Sequence, residues 1–383
     1  MTISIETLTG LRHEFHRFPE LGFQETQTKR KIAKFLRAKG LEVVEGVGVV
    51  GILRSGAGKK TIGLRADMDA LPIQETSKHS YSSMHPGVMH ACGHDGHMTM
   101  LLGAAEELAH SLDFDGTVIF IFQPNEENGL GAKAMLDEGL LSKFPISNIF
   151  AVHNLPGIET GHLMTRKGLI CSSESLFEIR LKGQGGHASM PHVGRDTISV
   201  GSEIIQTLQN IISKRLPPGS GSVLSVTEFI SNGARNVLPG TSLIRGDVRS
   251  RNEEDRLEIK RLINKIVEGI CRAHEIDRQV SFETEFVETI NSAEQTATVI
   301  KVAEELGLNF NGSCEPMSFS EDFAHFSNIV PGCLFLLGNG KSGSGSDPLH
   351  SSSYDFNDSL LPIGVKVWSS LVRKLLPKSE LQA

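Results

Sequence analysis

Eight consecutive residues, His90-Ala-Cys92-Gly-His94-Asp95-Gly-His97, hold three imidazoles, one thiol and one carboxylate. Thiolate and imidazole suit first-row divalent ions, and Cys92 and His94, two apart, can face one ion from an extended turn. Four other places offer similar donors, most of them directly after an expected strand: Asp67 with Asp69, Glu126 with Glu127, His153, and His350. Neighbouring side chains in extended chain point opposite ways, so one glutamate can bind metal while the other faces substrate. A divalent cation brings the pKa of water down towards roughly 7, and a carboxylate that accepts its proton leaves hydroxide beside a polarised carbonyl. Hydrolysis of an amide is the expected chemistry. Cys92, His94, one glutamate, His153 and His350 are more donors than one open tetrahedral ion takes, so two ions are expected.

Plainer readings exist for each group. Free cysteine is among the most buried side chains, but histidines at 90 and 94 flank Cys92 and favour a ligand. Paired carboxylates usually form a solvated turn, yet this pair follows an all-apolar strand. His153 and His350, taken singly, read as ordinary strand-end histidines, and Gly185-Gly186-His187 as a tight turn. His90 and His97 are expected to support the ligands locally.

Such scattered residues need a scaffold that gathers them. Leu8 to Lys39 reads as two helices broken near Pro19 and Gly22. Leu41 to Val44, Val49 to Leu53, Thr61 to Arg65, Thr117 to Phe122, Asn148 to Val152 and Cys333 to Leu337 read as strands. Met98 to Leu112, Gly131 to Gly139, Ser292 to Leu306 and Asp358 to Leu375 are amphipathic. The alternation implies an α/β fold: an open, mostly parallel sheet with helices on both faces, whose crevice lies at the carboxyl ends of the strands. Between Glu174 and Glu285 the order becomes β-α-β-β-α-β, the split βαβ arrangement, read as an inserted α+β domain. The expected division is 1–173 and 288–383 for the sheet domain and 174–287 for the insertion. Gly340 to Ser346 is expected to be a flexible surface loop.

At 383 residues and 39% hydrophobic content the chain can bury a sizeable core, and its length favours two domains or one large α/β unit with an insertion. A net charge of −7 with acids and bases interspersed leaves no footprint for nucleic acid or an anionic membrane. No apolar stretch is long enough to span a bilayer, and Met1 to Leu8 lacks a basic, apolar leader, so a cytoplasmic location is expected. Five cysteines, at 92, 171, 271, 314 and 333, are odd in number and irregularly spaced, which points to reduced thiols.

Seven segments in order carry a resemblance: Gly63-Leu-Arg-Ala-Asp-Met-Asp-Ala-Leu-Pro72, Met89-His-Ala-Cys-Gly-His-Asp-Gly-His97, Phe122-Gln-Pro-Asn-Glu-Glu127, Gly185-Gly-His-Ala-Ser-Met-Pro-His192, Asn236-Val-Leu-Pro239, Glu321-Asp-Phe-Ala324 and Leu349-His-Ser-Ser-Ser-Tyr-Asp-Phe-Asn-Asp358. Together they resemble the hippurate hydrolase and indole-acetyl-amino-acid hydrolase branch of the metallo-aminoacylase peptidase family. The resemblance implies a di-metal exopeptidase-like catalytic domain with an inserted lid and dimerisation domain. By it, Cys92, His94, Glu127, His153 and His350 bind two divalent ions, whether zinc, manganese, cobalt or nickel, and Glu126 is the general base and acid. His187 is implied to stabilise the tetrahedral oxyanion, Asn236 to orient substrate, and Asp67 to sit behind the ligands and orient imidazoles. The implied substrate is a small N-acyl or N-aroyl amino acid, and the implied assembly a homodimer through the inserted domain. Asn125 and Asn128 stand where the family more often has Ala and Gly, and His325 where Tyr is usual. The rival activities are those of a dipeptidase or an N-acetyl-diaminopimelate deacetylase. From another class, the rival is a non-catalytic acyl-amino-acid-binding protein with a structural metal.

Overall fold

The run Thr-Val-Ile-Phe-Ile-Phe has no polar side to turn to water, and in the computed structural model, which describes residues 3–378, the strand Gly116–Gln123 is buried between neighbours on both edges. The sheet runs, in spatial order, Glu42–Glu45, Val49–Ser55, Gly116–Gln123, Thr61–Asp67, Asn148–Pro156, Gly332–Gly340, Leu163–Met164 and Phe310–Asn311. Its four central strands, from Gly116–Gln123 to Gly332–Gly340, are mutually parallel. The edge pairings of Val49–Ser55 and of Leu163–Met164 with Gly332–Gly340 are antiparallel. The fold is thus α/β with a mixed, mostly parallel sheet.

The helix His94–Ser111 is buried along nearly its whole length and packs against Ile5–Arg17, Leu361–Leu375 and the Thr61–Asp67 strand. Its Met98, Leu101, Leu102, Ala105 and Leu108 share one core with Phe120, Phe122, Phe150, Phe335 and Trp368. Each such aromatic taken fully out of water contributes about 1.5–3 kcal/mol. Gly131–Asp137 and Ala324–Ser327 form a second group, set against Gly116–Gln123 and Gly332–Gly340 respectively.

The chain divides into two compact units. One comprises the chain up to Ile170, Thr289–Pro316 and the chain from Asp322 onward; the other comprises Cys171–Glu288 and Met317–Glu321. In the second unit the antiparallel sheet order is Val223–Ser231, Thr241–Ser250, Ser173–Lys182, Asp277–Phe286. Ser173–Lys182 alternates strictly, burying Phe177, Ile179 and Leu181 against Val200, Ile204, Ile263 and Val267 of two helices. Asp196 caps the first helix, Thr197–Leu208, by accepting from the amides of Ile198 and Ser199. Gly186–His187 pairs with Val237–Leu238 in a separate two-stranded ribbon.

Several expectations shift. The helix expected from Met98 begins at His94, because its first turn is polar and carries no apolar period. Cys92 and His94 therefore do not share an extended turn. The helix expected over Asp196 to Lys214 breaks after Leu208 and resumes as Asn210–Lys214. Within the Gly/Ser run, Ser344–Ser346 closes a 3-10 turn whose Gly345 carbonyl accepts from Asn339 Nδ2 at 2.9 Å. All five cysteines are free and buried. Among the described residues no helix is long and apolar enough to cross a membrane.

Candidate metal centre

The ligand segment is held by its flanks. Met89 and Leu71 exchange both backbone hydrogen bonds at 3.0 Å, and the His350 amide donates to the Ala91 carbonyl at 2.8 Å. Gly93 then turns the chain at φ +90° so that Cys92 and His94 face inward on either side of it. A Cβ at this position would lie 2.2 Å from Asn154 Nδ2 and 2.6 Å from Tyr354 Oη, so no larger residue fits. The same Asn154 Nδ2 donates to the Cys92 carbonyl at 2.6 Å, and Asn154 Oδ1 accepts from Tyr354 at 2.6 Å.

Backbone carbonyls set the imidazoles. His94 Nδ1 donates to the Asp69 carbonyl at 2.9 Å and His153 Nδ1 to the Asn154 carbonyl at 2.7 Å, which leaves each Nε2 directed at the cluster. His153 Nε2 lies 3.4 Å from Cys92 Sγ, and His350 Nε2 lies 3.4 Å from Glu127 Oε2. His350 adopts φ +64°, an uncommon left-handed conformation for a residue with a Cβ. Cys92, His94 and His153 present donor atoms within 4.8 Å of one another; so do Cys92, Glu127 and His350, and so do His94, Glu126 and Glu127. Cys92 is common to the first two sets.

Glu126 and Glu127 follow the Gly116–Gln123 strand, but the extended-chain picture of opposite side chains fails. The loop turns, with Asn125 at φ +50° and the Gly129 amide bonded to the Glu126 carbonyl. Both carboxylates consequently approach the same nitrogen: Glu126 Oε2 is 4.0 Å and Glu127 Oε1 3.8 Å from His94 Nε2. Asp69 anchors the pair, Oδ1 accepting from the Glu126 amide and Oδ2 from the Glu127 amide, each at 3.0 Å.

Asp67 sits one layer behind. Its Oδ1 accepts from His97 Nδ1 at 2.7 Å and its Oδ2 from Arg65 at 2.8 Å, while His94 Nε2 is 3.8 Å away. His97 Nε2 accepts from the Asn154 amide at 3.0 Å, so its proton is on Nδ1. His97 thus ties Asp67 to the His153-Asn154 strand end. His90 is buried with neither ring nitrogen hydrogen-bonded, and burial lowers its pKa to about 4.

Carboxylates dominate the electrostatics of the cluster. Burial opposes charge on His94, yet Asp67, Asp69 and Glu127 raise its pKa to about 10. Burial, then the carboxylates of Glu127, Glu126 and Asp67, push the Cys92 thiol well up. Burial also raises Glu127, with Asp69 adding to it, and depresses His153, with His97 adding to it. Asp67 stays ionised despite burial, because His94, His97 and Arg65 surround it. His94 Nε2 and Glu127 Oε1 are buried without a hydrogen-bond partner. A thiol, imidazole nitrogens and carboxylates grouped around orphaned buried atoms fit divalent cations, which would deprotonate the thiol and satisfy those atoms together.

His187 and Asn236 belong to the second unit, and the ribbon brings them together: the Ala188 amide donates to the Asn236 carbonyl at 3.0 Å, and His187 pairs with Val237. His187 Nδ1 accepts from the Ser189 amide at 3.1 Å, which places its proton on Nε2. The histidine is in a strand pair, not merely a turn.

Supporting residues that sequence reasoning passed over lie around this centre. Arg65 bridges Asp67 and Asp322, with Gln123 accepting from its Nε at 2.8 Å. Asp322 also accepts from Gln123 Nε2 and from the Ala132 amide. Arg12, His16 and Asp95 form a buried ionic group on the outer side of the His94 turn. The available signals were an arginine inside an all-buried strand and charges at 12 and 16 on the same face as Leu8 and Phe15.

Comparison with known proteins places these features in context. The model of peptidase family M20/M25/M40 matches residues 63–374. The hippurate hydrolase of Campylobacter jejuni is 39% identical over 373 residues, 96% of each chain. IAA-amino acid hydrolase ILR1-like 4 of Arabidopsis thaliana is 33% identical, covering 96% of this chain and 86% of that one. The crystal structure of the Bacillus subtilis YXEP protein, described as a dinuclear metal binding peptidase from the M20 family, superposes with a TM-score of 0.84 at 28% identity. It covers 97% of this chain and 98% of its own.

Proposed function

The chain belongs to peptidase family M20/M25/M40, in its branch of hippurate hydrolases and IAA-amino acid hydrolases, and is a metal-dependent amidohydrolase; from that premise we propose that it cleaves N-acyl or N-aroyl amino acids into a carboxylic acid and a free amino acid. The convergence of Cys92, His94, Glu127, His153 and His350 around buried, unsatisfied donor atoms is the observation that carries this reading. We assign those five residues as the ones that would hold two divalent ions. The thiolate and imidazoles suit zinc, cobalt or nickel, and manganese enters through the family resemblance. When bound, the ions supply Lewis acidity at the amide carbonyl and a more acidic water.

The chain's own residues do the rest. Glu126 takes the proton of the attacking water on its carboxylate. As the carbon–nitrogen bond breaks, it passes that proton to the departing amine. His187 Nε2–H donates to the negative charge that develops on the carbonyl oxygen, and Asn236 beside it orients substrate. Asp67 holds the imidazoles in place through His97. The open edge strand Val223–Ser231, with Val223, Phe229 and Ile230 exposed, supports homodimerisation through the second unit. The free, buried cysteines support a cytoplasmic location.

The test is Glu126→Gln, assayed on benzoyl-glycine, acetyl-amino acids and dipeptides after stripping metals and restoring them one at a time. Turnover should vanish while metal content per chain stays at the parent value. A variant with near-normal rates would eliminate Glu126 as the base, and turnover that survives full metal removal would eliminate the centre.

A further inference from the structure

We infer that Glu25, with the short segment around it, is a positioning residue for the Glu126-Glu127 pair, an inference that rests on the roles just assigned to those glutamates. Glu25 immediately precedes the helix Thr26–Ala38 and is buried. Its Oε1 accepts from the Asn125 amide at 2.9 Å. With Asp69 accepting from Glu126 and Glu127, three consecutive amides of the loop end on two buried carboxylates drawn from distant parts of the chain. A loop whose amides are individually claimed cannot rotate its peptides without orphaning a buried donor. The direction in which Glu126 presents its carboxylate follows from that constraint.

The two carboxylates are themselves connected. Leu21 forms a parallel bridge with Ala70, and the Ala70 amide donates to the Glu20 carbonyl at 2.9 Å, so the segment that supplies Glu25 also grips the residue after Asp69. Glu20 secures the segment to the helix by accepting from the amides of Gln27 and Thr28. Gly22 lies directly against the loop: a Cβ there would stand 1.8 Å from Asn125 Oδ1. Phe23 and Asn125 adopt φ +60° and φ +50°, a left-handed conformation that asparagine takes comparatively readily but that is uncommon for a bulky residue such as Phe23. Burial also raises the Glu25 carboxyl to about 7, and an acceptor oxygen remains in either protonation state.

Three single variants and one paired substitution test this. Glu25→Ala should lower kcat by about tenfold to a hundredfold with KM little changed, since a misplaced base costs turnover rather than binding. In metal-free protein it should also accelerate hydrogen exchange of the Asn125 and Glu126 amides. Glu25→Gln keeps an acceptor oxygen and should restore both readouts. Gly22→Ala should reproduce the defect from the other side, and Gly22→Ala combined with Asn125→Gly should recover it by removing the obstructing side chain. The inference is overturned if Glu25→Ala keeps the parent kcat, or if Glu25→Gln behaves like Glu25→Ala. Should Glu25→Ala fail to fold, absence of recovery in the Gly22/Asn125 pair overturns it instead. Glu126→Gln run alongside separates the two levels: if it stays active, the role of the glutamates is wrong, whereas an inactive Glu126→Gln with a fully active Glu25→Ala removes only the brace.

Discussion

Replacing Asp69 with Asn preserves side-chain volume but removes one of two acceptors. Asp69 Oδ1 and Oδ2 each take one amide, from Glu126 and Glu127, at 3.0 Å, and the residue is buried. However the new amide is turned, one backbone N–H must then face an NH2 group at a buried or part-buried position. A hydrogen bond to a charged acceptor contributes about 1.5–3 kcal/mol and a stranded buried donor costs about 1–3 kcal/mol; allowing for relaxation, the loop should open about 2–4 kcal/mol more easily. At about 1.4 kcal/mol per factor of ten, that is roughly 30- to 800-fold faster exchange at the affected amide. Native-state hydrogen exchange of metal-free protein, read at Glu126 and Glu127, measures it directly. Amides of the Thr241–Ser250 strand in the second unit serve as the internal control. Asp69→Ala should expose both amides where Asp69→Asn exposes one. Exchange in Asp69→Asn within about threefold of the parent at both positions would refute the claim that this carboxylate fixes the loop.

Arg65→Met leaves Asp67 and Asp322 buried without their shared guanidinium, now 2.8 Å from each, and should destabilise metal-free protein by about 3–5 kcal/mol in denaturant melts. A loss below about 1 kcal/mol would mean that the two carboxylates find other partners. His16 sets a pH dependence: burial opposes its charge, but Asp95 at 2.9 Å and Glu75 at 3.5 Å hold its pKa up at about 9. Because the folded value exceeds the unfolded value of roughly 6.5, the stabilisation, about 3 kcal/mol, is complete below that pH and is lost as pH rises through about 9. His16→Gln should flatten the stability profile across that window, and an NMR titration placing His16 near the free value would contradict the pairing.

Much of the scaffold was legible because its signals are local. Thr117 to Phe122 is apolar on every side and became an interior strand; Ser175 to Leu181 alternates and became a sheet with one covered face. The candidate donors stood out as well, since a thiol and three imidazoles crowded into residues 90–97 have few uses other than a cation. Boundaries were harder. The helix at His94 begins before its apolar period does, and no pattern of hydrophobic residues could announce a polar first turn.

What tertiary structure alone decided is how distant atoms meet. Nothing in the order of residues places Glu126 and Glu127 at 4.0 and 3.8 Å from one imidazole nitrogen, because that depends on the left-handed turn at Asn125 and on Asp69 claiming both amides. The same holds for Arg65 between Asp67 and Asp322, 257 positions from the latter. Side-chain type and periodicity are properties of short stretches and can be read from them. Hydrogen-bond geometry between remote segments is a property of the packed core, and it exists only once parallel strands have brought their carboxyl ends side by side.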